Sequence, residues 1–178
     1  SANVVGYAGN ALNFGSLNNR TVIVPQFSGI GGSNIRLGDI KPLTSATVAN
    51  RVNLYTLLAT GKTDQQYRWN GTKWIDPKNG GADASDISFP SGKGLWIVCT
   101  TDASTQLQSS GEVNTIDDVV VRLNSGTANR TVLGNCLPVD LKMKDIVPEA
   151  VTVGATFANR INAYTLLPNG KTDQQYRW

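Results

Sequence analysis

The chain contains one long stretch of its own sequence twice, and this repeat limits its possible folds more than any other feature. Residues 61–69 recur without change as residues 170–178, which is 109 positions later. The match continues upstream, where residues 55–58 return as residues 164–167 at the same spacing. A period of about 110 residues is longer than the roughly 20 to 50 residues of solenoid repeats and is close to the size of one domain. The sequence therefore predicts two homologous units in tandem.

The two predicted units cover residues 1–110 and residues 111–178, and the second is shorter. It lacks a counterpart of residues 70–109 of the first unit. The missing part includes the apolar segment 94–99, so its loss removes core residues. Three explanations are open: the sequence belongs to a longer chain, a protease cut after Trp178, or another subunit donates the missing strands.

The composition favours strands and turns. Of the 178 residues 40% are hydrophobic, 16% are charged and 18 are glycine, whereas about 25% charge is typical of soluble domains. β-branched runs at 21–27, 119–123 and 131–133 are typical of strands. Only residues 48–58 leave a short helix open as an alternative. The prediction is an all-β fold of two tandem homologous β-sandwich or small β-barrel domains, the second incomplete; sandwich and barrel give the same short strands.

A hairpin is predicted around Asn70-Gly71, because this dipeptide favours a two-residue type I′ turn. With that turn Trp69 faces Thr72 and Tyr67 faces Trp74. The aromatic side chains then share one face of the hairpin, while the cationic side chains lie on the other. We expect the aromatic face to be core and the cationic face to be solvated.

The residue types present exclude much familiar chemistry. The chain has no histidine, which removes Ser-His-Asp and Cys-His catalysis and His-ligated zinc. We expect no enzyme activity and no cofactor. Asp76, Asp83 and Asp86 are weak calcium candidates, because calcium takes several oxygens from acidic loops, but their spacing matches no EF-hand. A solvated acidic loop is the alternative.

Tryptophans give a second candidate site. Exposed tryptophan rings commonly stack on sugars, whereas buried ones fill cores. Trp69, Trp74 and Trp96 are therefore candidate glycan contacts, although the alternation along their strands favours burial for most of the tryptophans.

The distribution of charged residues indicates possible partners, and the N-terminal residues indicate a cellular location. Sixteen basic and thirteen acidic residues are scattered along the chain, which argues against nucleic acid as a partner. No window approaches the roughly 18 to 20 apolar residues of a membrane-spanning helix. The small residues Ser1-Ala2-Asn3 are typical of the position after a signal-peptidase cut, so we expect an extracellular or cell-surface location.

Cys99 and Cys136 are expected as buried thiols, with a disulfide as the alternative.

Four motifs occur in order along residues 3–113: Asn3-Val4-Val5-Gly6-Tyr7, then Tyr67 to Trp74, then Pro90 to Ile97, then Leu107 to Val113 with its Gly-Glu-Val ending. In this succession the chain resembles a widespread group of uncharacterised exported bacterial proteins. The resemblance implies a secreted, repeat-built β-protein and carries no known catalytic residue. Members usually finish each unit with the Gly-rich turn, the aromatic strand and the Gly-Glu-Val ending, which the second unit here lacks.

The leading functional hypothesis is an exported structural protein, a subunit of an extracellular filament or surface layer. An incomplete domain exposes unpaired backbone groups, which a strand from a neighbouring copy can satisfy, giving a head-to-tail homopolymer. The expected donor is the N-terminal segment, and the expected acceptor is the end of the second unit. The assembly residues are Ala2, Asn3, Val4, Val5, Gly6, Tyr7, Tyr176 and Trp178. The alternative is a glycan-binding adhesion module of the cell surface.

Overall fold

The structure, a computed structural model, describes residues 5–11, 21–43, 52–99, 106–114, 120–123, 130–137, 139–147, 161–167 and 171–177. These residues are all-β, as predicted, and form several sheets, none of which closes. Three short 3₁₀ helices, Ile30–Gly32, Leu37–Asp39 and Met143–Asp145, interrupt the strands. The strands are β1 (Val5–Ala11), β2 (Thr21–Ile23), β3 (Phe27–Ser28), β4 (Ile35–Arg36), β5 (Ile40–Pro42), β6 (Val52–Leu57), β7 (Thr63–Trp69), β8 (Trp74–Asp76), β9 (Ala82–Asp83), β10 (Ser88–Phe89), β11 (Leu95–Cys99), β12 (Gln106–Val113), β13 (Asn162–Leu166) and β14 (Thr172–Arg177).

The largest sheet has six strands in the order β2-β11-β6-β7-β8-β9. Strand β11 lies between β2 and β6, and all five of its residues are buried. A continuous apolar run such as Leu95–Cys99 forms a strand with both faces covered, because no position has to be polar. Strand β6 belongs to this sheet, so the described part of residues 48–58 is a strand and not a helix.

A second sheet is built on β12. Strand β1 pairs with β12 along its whole length, from Val5 opposite Glu112 to Ala11 opposite Gln106. On the other side of β12 lie β3 and β5. A two-stranded ribbon of β4 and β10 completes this part of the fold.

One hydrophobic core joins these sheets. Leu54 and Trp74 from the six-stranded sheet, Ile40 and Leu107 from the β12 sheet and Ile35 from the ribbon belong to the same buried cluster. The indole Nε1 of Trp74 donates a hydrogen bond to the backbone oxygen of Ile40 at 2.6 Å. The first unit thus buries apolar residues from at least three sheets together, which is the condition for a stable layered fold.

The β7–β8 hairpin forms, but its predicted two-residue turn is wrong. Trp69 pairs with Trp74, so the loop has four residues, 70–73. The Asn70 Oδ1 accepts hydrogen bonds from the backbone N–H of Thr72 at 3.0 Å and of Lys73 at 2.9 Å. This local side-chain bonding stabilises the longer loop. The expectation that the aromatic residues share a buried face is confirmed, because the Trp69 and Trp74 rings pack edge to face at 5.6 Å.

The repeated sequence forms the same hairpin twice. In β6–β7 Asn53 pairs with Arg68, and in β13–β14 Asn162 pairs with Arg177. Both hairpins carry an irregularity at the same place, after the tyrosine of the first strand. The 3₁₀ helices Leu37–Asp39 and Met143–Asp145 also match, since each ends in an aspartate that accepts the backbone N–H three residues before it.

Hydrogen bonds cross the predicted boundary between the units. The Gly94 N–H donates to the Val132 oxygen at 2.7 Å, and a Cβ at Gly94 would collide with the Val132 side chain. The Ser28 hydroxyl donates to the Oδ1 of Asn114 across this boundary, and within the second unit the Nδ2 of Asn114 donates to the Cys136 oxygen at 2.8 Å. Residues 130–137 therefore pack against the first unit.

Candidate functional site

The second copy of the repeated hairpin is the candidate site, because its strands have fewer neighbours among the described residues than those of the first copy. Among the described residues β13 and β14 pair with each other and with no other strand. In the first copy the corresponding strands have further neighbours: β6 also pairs with β11, and β7 also pairs with β8. The strands β8 and β11 have no counterpart within residues 111–178. Unpaired strand edges present backbone donors and acceptors in a row, which is a template for another strand.

Exposed aromatic side chains accompany these open edges. Tyr176 is 41% exposed, whereas the identical position in the first copy, Tyr67, is 8% exposed. Tyr164 is 47% exposed, and its counterpart Tyr55 is partly buried. All six residues of β14 are exposed. The tyrosine side chain that fills the core as Tyr67 in the first copy is therefore available for contact as Tyr176 in the second.

Equivalent side-chain hydrogen bonds stabilise β13–β14 and its first copy, β6–β7. The Gln175 Nε2 donates to the Asn162 Oδ1 at 2.9 Å, and the equivalent bond from Gln66 to Asn53 is also 2.9 Å long. The Gln174 N–H donates to the Thr165 hydroxyl oxygen at 3.1 Å. The hairpin thus has a defined register before anything else binds to it.

Sequence reasoning named Tyr176 as an assembly residue and missed Tyr164, although the repeat contained the signal. Tyr164 lies 109 positions after Tyr55, which pairs with Trp96 of β11. The repeat therefore identifies Tyr164 as the residue equivalent to Tyr55. Trp178 lies outside the described residues.

The predicted donor segment is paired within its own chain where the structure describes it. Val5, Gly6 and Tyr7 belong to β1, which is bound to β12. Gly6 packs closely on Phe27, because a Cβ there would lie 2.5 Å from the phenylalanine ring. Ala2, Asn3 and Val4 lie outside the described residues. A donor role for this segment therefore requires β1 to leave β12 of its own chain.

The three calcium candidates are not brought together. Asp83 Oδ2 forms an ion pair with Lys73 Nζ at 2.9 Å, while Asp86 lies 3.5 Å from Arg36. Asp76 Oδ1 accepts the backbone N–H of Lys78. In the described ranges no group of three or more acidic or cysteine side chains is placed to hold a metal ion. Hydrogen bonds from the Ser85 N–H and hydroxyl, together with Lys73, lower the pKa of Asp83 to about 2.

The three tryptophans proposed as glycan contacts lie in the interior. Trp69, Trp74 and Trp96 are all buried. Stacking on a sugar needs an exposed ring face, and in this fold these rings pack against protein. The burial that strand alternation favoured is thus the outcome, and the glycan-contact assignment of these three residues is corrected.

Both cysteines are free and buried, which agrees with the favoured expectation. Burial raises the pKa of the Cys99 thiol to about 11 and also raises the pKa of Cys136. A thiol with such a pKa is a weak nucleophile at neutral pH, because the reactive form is the thiolate. Neither cysteine is therefore suited to nucleophilic catalysis.

Comparisons with known proteins found no relative of this chain. No protein-family model matches the chain, and neither a curated protein nor a solved structure matches it significantly. In the ranges that the structure describes, no helix has the length and apolar character needed to cross a membrane.

Proposed function

We propose that this protein is an exported structural subunit, made of two tandem homologous β-units, that assembles into an extracellular filament or surface layer by strand complementation. The observation that carries the proposal is the repeated hairpin: one copy is flanked by strands on both sides, and the other copy has no flanking strand among the described residues. The β13–β14 hairpin is the acceptor in this proposal.

The physical argument starts from the open edges. An extended segment that adds to a sheet edge gains main-chain hydrogen bonds, while its alternate side chains fill pockets along the edge. Tyr164 supplies exposed apolar surface on β13, and Tyr176 supplies it on β14, on the opposite face of the hairpin. When donor and acceptor lie on different parts of the same chain, the contact is head to tail, and it produces a filament if the rotation does not close a ring.

The donor in this proposal is an extended segment of a neighbouring copy. The N-terminal segment is one candidate, and it would act by exchanging β1 between chains, as in domain swapping. Deleting residues 1–9 tests this assignment: assemblies should disappear while circular dichroism still shows a folded β-protein. Unchanged filaments would eliminate the N-terminal segment as donor and leave the acceptor hairpin untouched.

The main experiment compares two lysine substitutions at exposed apolar positions. Tyr164→Lys places a charge on the acceptor strand, which is how natural sheets block edge pairing. Ile30→Lys is the matched control, because Ile30 is exposed and lies in the 3₁₀ helix Ile30–Gly32 of the first unit. We expect the unchanged protein and Ile30→Lys to form fast-sedimenting species and filaments by electron microscopy, and Tyr164→Lys to remain monomeric. A wild-type chain that stays monomeric at every concentration would refute the proposed function.

A further inference from the structure

We infer that Asn79 is a site of spontaneous deamidation, which replaces its side-chain amide by a carboxylate, and that the fold slows the same reaction at Asn70. The chain contains Asn-Gly pairs at 70–71, 79–80 and 169–170, and the third pair lies outside the described residues. The first two pairs lie in the loops on either side of β8, in the first unit. Their chemistry therefore does not depend on the proposed function.

An asparagine that precedes a glycine can react with its own backbone. The glycine nitrogen attacks the asparagine Cγ, a new C–N bond closes a five-membered succinimide ring, and the Cγ–Nδ2 bond breaks. The glycine nitrogen gives up its proton, and the side-chain nitrogen leaves as ammonia. Water then opens the ring at either carbonyl and gives aspartate or isoaspartate. Glycine favours this attack because it has no Cβ to obstruct the close approach.

The loop after β8 leaves the reacting groups of Asn79 and Gly80 accessible. Both residues are exposed, and a Cβ built at Gly80 would meet nothing within 4 Å. The backbone of Asn79 is held, since its N–H donates to the Asp76 oxygen at 3.2 Å and its oxygen accepts from the Ala82 N–H at 3.0 Å. Among the described residues, however, neither the Asn79 side chain nor the Gly80 N–H has a hydrogen-bond partner. The carboxamide is therefore free to rotate towards the nitrogen that attacks it.

The loop before β8 restrains the side chain of Asn70, although Asn70 is also exposed. The Asn70 Oδ1 accepts hydrogen bonds from the Thr72 N–H at 3.0 Å, from the Thr72 hydroxyl at 3.0 Å and from the Lys73 N–H at 2.9 Å. Closing the succinimide ring turns the asparagine side chain and its ψ angle together. The three bonds tie the side chain to the backbone two and three residues ahead and resist that movement.

The difference between the two sites lies in the fold, because both pairs have the same reacting atoms. Hydrogen bonds that must break before the ring closes reduce the population of the reactive conformation. Three such bonds are enough to slow the reaction at Asn70 by at least about tenfold relative to Asn79. Deamidation then adds one negative charge to the loop after β8, and the isoaspartate product also redirects its backbone through Cβ and Cγ.

Peptide mapping by mass spectrometry measures the two rates in one sample of the full chain, incubated at constant pH and temperature. In the folded protein we expect Asn79 to deamidate at least about tenfold faster than Asn70. In concentrated urea the hydrogen bonds are absent, and the two rates should come within about threefold of each other. Asn79→Gln is the control for assignment, because its longer side chain cannot form the five-membered ring.

Thr72→Ala tests the physical cause. It removes the hydroxyl donor to Asn70 Oδ1 and leaves both backbone donors in place. The rate at Asn70 should rise at least about twofold, while the rate at Asn79 stays unchanged. Circular dichroism establishes that the variant is folded when its rates are measured.

Three results would each overturn the inference. Equal rates at the two sites in the folded chain would show that the hydrogen bonds do not protect Asn70. A faster reaction at Asn70 would show that the donors to its Oδ1 assist the attack instead of opposing it. An Asn79-to-Asn70 ratio that stays the same in urea would show that the flanking sequence, and not the fold, sets the difference.

Discussion

The hairpins β6–β7 and β13–β14 have nearly the same sequence and the same register, yet they have opposite surroundings. The first is part of a six-stranded sheet over a shared core, and the second is a two-stranded sheet. Tyr67 lies in that core, and its counterpart Tyr176 is 41% exposed. The comparison shows that local sequence fixes the hairpin, while the neighbouring strands decide what its side chains do.

One substitution between the copies agrees with this reading. The fully buried Leu54 of the first copy is replaced by Ala163 in the second. A leucine contributes to stability when it fills a core, and it contributes little on a surface. The copy with the core therefore retains the larger residue. Exchanging residues between the copies tests how far this difference extends.

The largest expected effect is at this pair of positions. Leu54→Ala gives the first copy the residue of the second and should lower the free energy of unfolding by about 2–5 kcal/mol, because it leaves a cavity in the core. Ala163→Leu should change it by less than about 0.5 kcal/mol. Urea denaturation followed by circular dichroism measures both. Similar losses for the two variants would show that the second hairpin is packed like the first.

A smaller difference is expected for the paired asparagines. The buried Asn53 Oδ1 accepts hydrogen bonds from Gln66 Nε2 at 2.9 Å and from Arg68 Nε at 3.4 Å. Asn53→Ala leaves these donors without their acceptor and should cost about 1–3 kcal/mol. Asn162 is exposed, so water replaces it, and Asn162→Ala should cost less than about 0.5 kcal/mol. The same denaturation experiment compares them, and a cost at Asn162 equal to that at Asn53 would contradict the comparison.

The smallest predicted effect is a change in the melting temperature on substituting Asp83, which lies on β9 in the first unit. The pKa of Asp83, on β9, is lowered from 3.8 to about 2, first by the Ser85 N–H and then by Lys73. A depressed carboxyl pKa stabilises the fold above pH 3.8, and this contribution disappears as the pH falls towards 2. Asp83→Asn should therefore lower the melting temperature slightly at pH 6, and the difference from wild type should vanish near pH 2.

Asp86→Asn is the control for that pH dependence, since the Asp86 carboxylate is exposed and lies 3.5 Å from Arg36. Its melting temperature should follow wild type more closely at pH 6. A difference for Asp83→Asn that persists unchanged at pH 2 would show that its charge is not the cause.

The sequence allowed some of these features to be predicted and not others. The strand character of β11 followed from an unbroken apolar run, and the buried aromatic face of β7–β8 followed from alternation. The β7–β8 register did not, because Asn-Gly suits both a two-residue turn and a longer loop, and the hydrogen bonds of the Asn70 side chain decided between them. Alternation favoured burial of most of the tryptophans, and the packed sheets show that Trp69, Trp74 and Trp96 are all buried.

By itself the sequence predicted an all-β chain and identified one stretch that occurs twice, because strand propensity, alternation and identity are properties of neighbouring residues. Only the tertiary structure decided that β1 pairs with β12, that residues 130–137 pack on the first unit, and that one hairpin lies within a six-stranded sheet while the other pairs with no further strand in the part of the chain that is described. These features depend on contacts between residues far apart in the chain. Nothing local in a strand specifies which distant strand will cover it.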